Sequence, residues 1–346
     1  MHQGIVGMSE FTPRIVLVTG GAGFIGSHFA RYVLQTHQEA NVVNLDALTY
    51  AGTKENLEDV MECDRHKFVH GDICDEGLVK SLLREHAIDT VVHFAAESHV
   101  DRSILEPDAF VRTNVQGTFN LLEETRRFWL EEKNWSKAQC RFHHVSTDEV
   151  YGALGHDDLP FTEMSRYVPN SPYSASKAAS DHLVRAYQHT YQLPTTITHC
   201  SNNYGPYQHQ EKFIPTVISM CLNERPIPVY GDGSNIRDWL YVEDHCVAIW
   251  KVIESGRIGQ TYNIGGSNQV SNLDVVKLLC RTLADALSEK QEKFLKLISF
   301  VTDRPGHDWR YAIDSQKIRG ELGWQPTNKF ERGIRKTVDW YLARRD

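Results

Sequence analysis

The sequence lacks the features that would place it on a nucleic acid or in a membrane. Its 346 residues contain 37 Lys and Arg against 45 Asp and Glu, so the formal net charge is −8 and no excess of cations is available to neutralise phosphates. No apolar run approaches the ~20 residues that span a bilayer, and residues 1–12 lack the pattern of a signal peptide. We therefore expect no nucleic-acid partner, no membrane segment, and a native start at Met1 or Met8.

Cysteine and histidine show no pattern of a disulfide framework or a metal site. The cysteines are odd in number, scattered and without a CxxC pair, which predicts reduced thiols in a cytoplasmic protein. They are Cys63, Cys74, Cys140, Cys200, Cys221, Cys246 and Cys280. The 17 histidines include no HExxH motif, so no metal is expected.

A glycine-rich turn near the start of the chain predicts a dinucleotide site. The apolar residues 14–19 have the pattern of a strand, Gly20-Gly21-Ala22-Gly23-Phe24-Ile25-Gly26 follows, and residues 27–35 have a helical pattern. Glycines let the backbone approach a pyrophosphate, which then lies at the positive end of the helix. A second strand ends in Asp46, whose carboxylate would accept ribose hydroxyls and repel a 2′-phosphate. NAD is therefore predicted over NADP, with a glycine turn that binds nothing as the alternative.

Strand and helix patterns alternate through the first half of the chain. Further strands are predicted at 67–73, 89–96, 141–145 and 194–199, with helices at 78–86 and 110–132. This order predicts an α/β fold with a Rossmann-type doubly wound parallel sheet. The length exceeds what one core usually supports, so a smaller C-terminal substrate domain is expected to interleave with the first. We assign 13–201 plus about 235–266 to the NAD-binding domain, and about 202–234 and 267–346 to the substrate domain.

Two acids follow the predicted strand at 141–145. Thr147-Asp148-Glu149 comes at the sheet edge where parallel α/β proteins bind ligands. Side chains alternate along a strand, so both carboxylates reach one substrate only where the strand opens into a loop. A proton donor and a proton acceptor would then flank one carbon skeleton. Solvated acids that cap the next turn are the alternative.

Tyr173 and Lys177 are four residues apart in a predicted helix, so they share one face. This spacing is common, but in a chain that also carries a dinucleotide-binding motif it indicates a catalytic pair. A nearby ammonium favours the phenolate, so we expect Lys177 to lower the pKa of Tyr173 from about 10. Tyr173 would then remove the proton of a sugar hydroxyl while hydride leaves the same carbon for NAD.

Together these motifs resemble a known family. The glycine loop, the Asp at the second strand end and Tyr173-x-x-x-Lys177 are similar to the extended short-chain dehydrogenase/reductases, which act on nucleotide sugars. More narrowly, Thr147 to Gly152, Ala95 to Ser103, Cys200 to Tyr207 and Asp303 to His307 resemble the dTDP-glucose 4,6-dehydratases. The similarity runs from about residue 14 to 341. Two departures, His199 and His209-Gln210, are expected to fall beside the substrate.

The resemblance implies a reaction. Tyr173 and Thr147 would act at the C4 hydroxyl of dTDP-glucose, Glu149 would remove the C5 proton, and Asp148 would protonate the departing C6 hydroxyl. NAD would take hydride from C4 and return it to C6. Another nucleotide-sugar 4,6-dehydratase, a 4-epimerase and a non-catalytic NAD-binding protein are the alternatives.

The resemblance also implies the binding residues and a partner subunit. The predicted NAD contacts are Gly20, Gly23, Phe24, Ile25, Gly26, Asp46, Leu48, Thr49, Asp72, Ile73, Ala95, Ala96, Thr113, Tyr173, Lys177 and Asn203. The predicted substrate contacts are Ser98, Thr147, Asn202, Lys212, Phe213, Pro228, Tyr230, Arg237, Asn272, Arg304 and His307. Arg237 is expected on the diphosphate, with a structural pair to Asp238 or Asp232 as the alternative. Apolar stripes on the helices near 110 and 173 predict a homodimer.

Overall fold

The computed structural model describes residues 11–303 and 308–344. Its centre is a seven-stranded sheet in which every pairing is parallel. The strands, numbered in chain order, are β1 (Ile15–Thr19), β2 (Asn41–Asp46), β3 (His66–His70), β4 (Thr90–His93), β5 (Arg141–Thr147), β6 (Thr195–Cys200) and β10 (Thr261–Ile264). They lie in the order β10, β6, β5, β4, β1, β2, β3. The predicted doubly wound parallel sheet is confirmed.

The sheet separates two apolar cores. Val16 and Val18 of β1 enter one core, and Leu17 between them enters the other. This division follows from the alternation of side chains along a strand. Because both faces are covered, the strand is an almost continuous run of apolar β-branched residues, as is typical of parallel sheets.

Helices cover both faces of the sheet. One face holds α1 (Phe24–Thr36) and α8 (Val242–Ser255), and the other holds α2 (Glu76–Glu85), α5 (Thr118–Arg126) and α6 (Pro172–Tyr191). The remaining α-helices are α3 (Val100–Leu105), α4 (Pro107–Phe110), α7 (Phe213–Leu222), α9 (Asn272–Leu287), α10 (Glu292–Leu295), α11 (Gln316–Leu322) and α12 (Phe330–Ala343). The predicted helix at 110–132 contains π-helical stretches on both sides of α5, Val111–Gly117 and Arg127–Glu132.

The order of the strands creates a crevice above β1. The chain runs from β1 to β2 and β3 on one side, and then returns to β4 and β5 on the other side. Parallel α/β sheets bind ligands outside the carboxyl ends of their strands at such a switch point. The topology therefore places the glycine loop after β1 beside the residues that follow β4.

A second lobe is built from short strands and its own core. Its strands are β7 (Asn202–Tyr204), β8 (Ile227–Tyr230), β9 (Ile236–Tyr241), β11 (Gln269–Ser271) and β12 (Ile298–Val301). β9 connects the lobes, because Leu240 packs in a core of the large sheet while Trp239 and Tyr241 pack in the core of the second lobe. Ile318 and Trp324 of the C-terminal part also pack in the core beside α1. The exact domain boundaries stay a prediction.

The described ranges, 11–303 and 308–344, show neither a helix with the length and apolar character to cross a membrane nor a cluster of three or more His, Cys, Asp and Glu residues that could hold a metal ion.

Candidate active site

A cavity of about 340 Å³ opens over the carboxyl ends of the central strands. Its wall includes Gly20 after β1, Asp46 at the end of β2, Ala95 after β4, Thr147 at the end of β5 and Cys200 at the end of β6. Of the predicted NAD contacts, each one except Leu48 lines this cavity. The predicted catalytic residues Thr147, Asp148, Glu149, Tyr173 and Lys177 also line it. Residues far apart in sequence thus meet in one place, while their individual roles stay predictions.

The glycine loop packs too closely on the neighbouring backbone to carry side chains at Gly20 and Gly26. Gly20 has a φ of +70°, and a Cβ there would lie 2.6 Å from Ala95 N, while a Cβ on Gly26 would overlap Gly20 O. Gly23 precedes α1, and no side chain of the described residues caps that helix. A pyrophosphate can therefore approach the backbone at the positive end of α1. The loop fits a dinucleotide such as NAD.

Asp46 contacts the same loop. Its Oδ2 accepts a hydrogen bond from Ala22 N at 2.8 Å, and its Oδ1 accepts one from Leu48 N at 2.8 Å. Burial raises the pKa of Asp46, and these backbone hydrogen bonds oppose the rise. Because a carboxylate offers about four acceptor positions, Asp46 can still accept ribose hydroxyls. Leu48 itself does not line the cavity, so its predicted contact with NAD stays a prediction.

The acids lie where β5 opens into a 3₁₀ turn, Asp148–Tyr151. Thr147 Oγ1 accepts a hydrogen bond from Glu149 N at 3.3 Å, which bends the chain so that Asp148 and Glu149 both line the cavity. Asp148 is buried, and its Oδ2 has no hydrogen-bond partner among the described residues. Burial, followed by the charges of Glu149 and Asp238, raises the pKa of Asp148 well above its usual value. This raised pKa favours the protonated form of Asp148.

The pKa of Tyr173 is raised in this structure, and the predicted effect of Lys177 on that pKa stays a prediction. Both side chains are buried near the start of α6. Lys177 Nζ donates to Val145 O at 2.9 Å, and burial lowers the pKa of Lys177 to about 8. Burial and the charge of Glu149 raise the pKa of Tyr173 well above its usual value, and a hydrogen bond with Thr147 is what opposes the rise. Thr147 is thus a neighbour that favours the phenolate.

Sequence comparisons agree with this geometry. A family model described as GDP-mannose 4,6 dehydratase matches residues 17–337. The chain is 54% identical over 336 residues to the dTDP-glucose 4,6-dehydratase of Shigella flexneri, an overlap of 95% of this chain and 92% of that protein. The chain belongs to the dTDP-glucose 4,6-dehydratase family.

Solved dehydratases and epimerases share the fold of this chain almost equally, but the dehydratases are more similar to it in sequence. The dTDP-glucose 4,6-dehydratase of Streptomyces venezuelae, solved with NAD bound, is 46% identical with a TM-score of 0.86, over 96% of this chain and 98% of that chain. The UDP-glucose 4-epimerase of Thermotoga maritima has a TM-score of 0.83 but 26% identity, over 96% of this chain and 100% of that chain. The predicted resemblance to the dehydratases is confirmed.

Four of the predicted substrate contacts lie in the same cavity. Ser98, Thr147, Asn202 and Lys212 line it. Lys212 Nζ donates to Ser98 O at 3.1 Å, and burial lowers the pKa of Lys212. Asn202 Oδ1 is buried and has no partner within the described ranges, so it is available to a ligand.

Five other predicted substrate contacts are not among the described residues that line the cavity. Phe213, Pro228, Tyr230, Arg237 and Asn272 belong to the second lobe, and Arg304 and His307 lie outside the described residues. Arg237 is buried, with Nη1 2.8 Å from Ile236 O, Nη2 3.0 Å from Asp308 O, and its guanidinium 4.6 Å from the centre of the Tyr311 ring. Its charge opposes the rise in the pKa of Asp148, which indicates that it is close to the acids. Contact between Arg237 and a diphosphate stays a prediction.

The sequence prediction omitted some residues of the cavity and misplaced one. Tyr50, Glu97 and Gln208 line the wall; Tyr50 OH lies 3.3 Å from Ser98 Oγ, and Gln208 Nε2 donates to Asn203 O at 3.0 Å. In the sequence these three residues lie close to Asp46, Ser98 and the Cys200–Tyr207 segment, and this proximity could have identified them. His209 lines the cavity, but His199 is fully buried outside the wall and lies 2.8 Å from Asp181. The expectation that His199 falls beside the substrate is wrong.

Proposed function

We propose that this chain converts dTDP-glucose to dTDP-4-keto-6-deoxyglucose and water. The observation that carries the proposal is the Asp148–Tyr151 turn, which brings a buried carboxyl with a raised pKa and a second carboxyl to the cavity that Tyr173 also lines. The chain is an NAD-dependent hydro-lyase of the dehydratase family. NAD, when bound, accepts hydride from C4 and returns it to C6.

Tyr173 acts first in the proposed mechanism. Tyr173 is the proposed base for the proton of the C4 hydroxyl, and its hydrogen bond with Thr147 opposes the rise in its pKa. The resulting C4 carbonyl acidifies the hydrogen at C5, because loss of that proton gives an enolate. Gly20 and Gly26 let the loop fold tightly, because a Cβ there would collide with Ala95 N or Gly20 O.

The two acids then divide the elimination between them. Glu149 takes the C5 proton, and Asp148 gives its proton to the C6 oxygen, which departs as water. When C6 has received hydride, Glu149 returns a proton to C5. The raised pKa of Asp148 supports its role as the donor.

Mass spectrometry of the purified protein after incubation with dTDP-glucose tests the proposal. We expect a product lighter by one water, and a smaller yield from UDP-glucose. A C4 epimerase would give a product of unchanged mass, and a non-catalytic NAD-binding protein would give no product. Either result would contradict the proposed function.

We also propose that the protein is a homodimer. Four large apolar side chains between α3 and α5 are solvent-exposed in the single chain: Ile104 by 59%, Leu105 by 81%, Val111 by 58% and Phe119 by 39%. They lie on neighbouring helical segments, α3, the π-helical stretch and α5. Exposed apolar clusters of this kind are typical of interaction sites, and a second copy would cover the same surface on both chains.

Light scattering of the wild type and the double variant Leu105→Glu/Val111→Glu tests this dimer. We expect a dimer for the wild type and a monomer for the variant, because two charges would be buried in the interface. Leu159→Glu is the matched control, since Leu159 is 85% exposed in the loop that follows β5 and should leave the dimer intact. A wild-type monomer would contradict the proposal.

A cytoplasmic location is the last part of the proposal. All seven cysteines are free thiols, and Cys221 Sγ and Cys280 Sγ lie 4.0 Å apart without a bond. Free thiols in such proximity are typical of reducing compartments.

A further inference from the structure

Tyr50 lines the active-site cavity, and neither the predicted NAD contacts nor the predicted substrate contacts include it. It lies in the loop that follows β2, and hydrogen bonds hold this loop on both sides of Tyr50. Leu48 N donates to Asp46 Oδ1 at 2.8 Å, and Thr53 N donates to Ala22 O in the glycine loop at 3.2 Å. The loop is therefore fixed beside the predicted cofactor site.

The side chain of Tyr50 reaches the segment that follows β4. Its OH lies 3.3 Å from Ser98 Oγ, and the guanidinium of Arg102 lies 4.4 Å from the centre of its ring. A guanidinium over the face of a tyrosine ring is attracted by the electrons of the ring. Ser98 lines the cavity, whereas Arg102 is not among the described residues that do so. Arg102 thus holds the ring of Tyr50 from outside the cavity wall.

The second lobe contacts the same place. The ring of His209 meets the ring of Tyr50 edge to face, with 5.8 Å between their centres. Lys212 Nζ donates to Ser98 O at 3.1 Å. His209 and Lys212 both line the cavity, and His209 belongs to one of the departures from the family pattern. Segments after β2, after β4 and from the second lobe therefore meet at Tyr50.

The strand order places the contact between Tyr50 and Ser98 across the crevice. β1 lies between β2 and β4 in the sheet. Neighbouring strands are about 4.8 Å apart, so the loops after β2 and β4 begin roughly 10 Å apart, on either side of the glycine loop that follows β1. A dinucleotide that reaches from Asp46 to Tyr173, with its pyrophosphate at the glycine loop, follows the same course.

We propose that Tyr50 retains the nicotinamide dinucleotide in the cavity. The contact of Tyr50 with Ser98, with Arg102 over the ring, forms a bridge across the crevice, and the dinucleotide enters and leaves when this bridge opens. The value of the bridge to catalysis rests on the proposed function. Hydride taken from C4 has to return to C6, so the reduced cofactor has to stay bound between the two transfers.

The exchange of NAD tests this bridge without turnover. Protein loaded with radiolabelled NAD is mixed with an excess of unlabelled NAD, and the label that stays bound is measured after rapid gel filtration. We expect Tyr50→Ala to release NAD about tenfold faster than the wild type, because the loss of a contact acts mainly on dissociation. Tyr50→Phe keeps the ring beneath Arg102, so it should release NAD at most about threefold faster.

The rate of NAD binding distinguishes a bridge from a direct contact. A bridge that has to open slows entry and exit alike, so Tyr50→Ala should also bind NAD faster, and its dissociation constant should change less than its dissociation rate. Stopped-flow protein fluorescence measures this binding rate. Faster release with an unchanged binding rate would mean that Tyr50 only contacts the ligand, and that result would overturn the proposal. Release at the wild-type rate would overturn it as well.

Arg102→Ala tests the bridge without altering a residue of the cavity wall. We expect both exchange rates to rise about threefold, and the double variant with Tyr50→Ala to exchange no faster than Tyr50→Ala alone, because Arg102 acts through the ring. Tyr191→Ala is the matched control, since Arg126 lies 5.0 Å from the centre of the Tyr191 ring and neither residue lines the cavity. Should Tyr50→Ala fail to fold, Arg102→Ala decides: wild-type exchange in that variant would contradict the bridge.

Turnover provides a separate readout. With dTDP-glucose, Tyr50→Ala should lose activity as reduced nicotinamide escapes, and NAD added to the solution should restore it. A general loss of structure would instead lower activity from the start and would not respond to added NAD. If NAD exchange changes as expected in a protein that forms no product, the proposed function is removed and the bridge stands.

Discussion

Glu149→Gln should oxidise C4 of dTDP-glucose but fail to exchange the C5 hydrogen with solvent deuterium. Glutamine keeps the size and polarity of the side chain but cannot accept the C5 proton, so the reaction should stop at the 4-keto sugar. Loss of a general base typically costs 10²- to 10⁴-fold, and we expect product formation to fall by about that factor. The fall should be in kcat, because the group acts on the reacting carbon.

Two measurements separate this outcome from a general loss of structure. Reduced nicotinamide, seen by its absorbance, should accumulate in Glu149→Gln and not in the wild type. Deuterium at C5, measured by mass spectrometry, should be absent. Glu163→Gln is a suitable control, because Glu163 accepts from Asn263 N at 2.8 Å and lies outside the cavity wall. Unchanged C5 exchange in Glu149→Gln would remove this residue from the role of base.

The fold and the centre of the site could be predicted because their signals are local. A glycine loop between a strand and a helix, and an acid at the next strand end, depend on geometry that a short segment determines. Thr147, Asp148 and Glu149 follow a recognisable buried strand, and the parallel topology then brings strand ends to one edge. Asp46 shows the limit of this reasoning, because its sequence distance from the glycine loop did not predict that it accepts a hydrogen bond from Ala22 N.

The pKa shifts and buried contacts around the site could not be predicted, because they depend on residues that only the fold brings together. The pKa of Tyr173 rises through burial and the charge of Glu149, while the Lys177 amine donates to Val145 O. The spacing of Tyr173 and Lys177 on a helix indicated neither effect. His199 and Asp181 are 18 residues apart, and only the packing of α6 on β6 joins them. Substrate contacts in the second lobe are harder to predict, because the candidate residues lie on short strands and turns.

Asp148→Asn should lose activity on dTDP-glucose far more than on its 6-fluoro analogue. Hydroxide is a poor leaving group and needs a proton from Asp148, whereas fluoride can leave C6 without one. An amide cannot donate a proton as a carboxylic acid does, so we expect a loss of about 10²- to 10³-fold with the natural substrate. With the fluoro analogue the loss should be at least tenfold smaller, a difference of about 1.4 kcal/mol in the barrier.

The ratio of the two losses distinguishes a proton donor from a polar neighbour. If Asp148 only oriented the C6 substituent, asparagine would affect both substrates equally, and an equal defect would refute the donor role. The structure favours the donor, because burial and the neighbouring acids raise the pKa of Asp148 and its Oδ2 has no partner within the described residues. A donor with a raised pKa loses its proton as the pH rises through that pKa, so elimination from dTDP-glucose should then fall more than elimination of fluoride does. Reduced nicotinamide should accumulate in the variant with dTDP-glucose, since oxidation at C4 depends on Tyr173 and precedes the step that Asp148 serves.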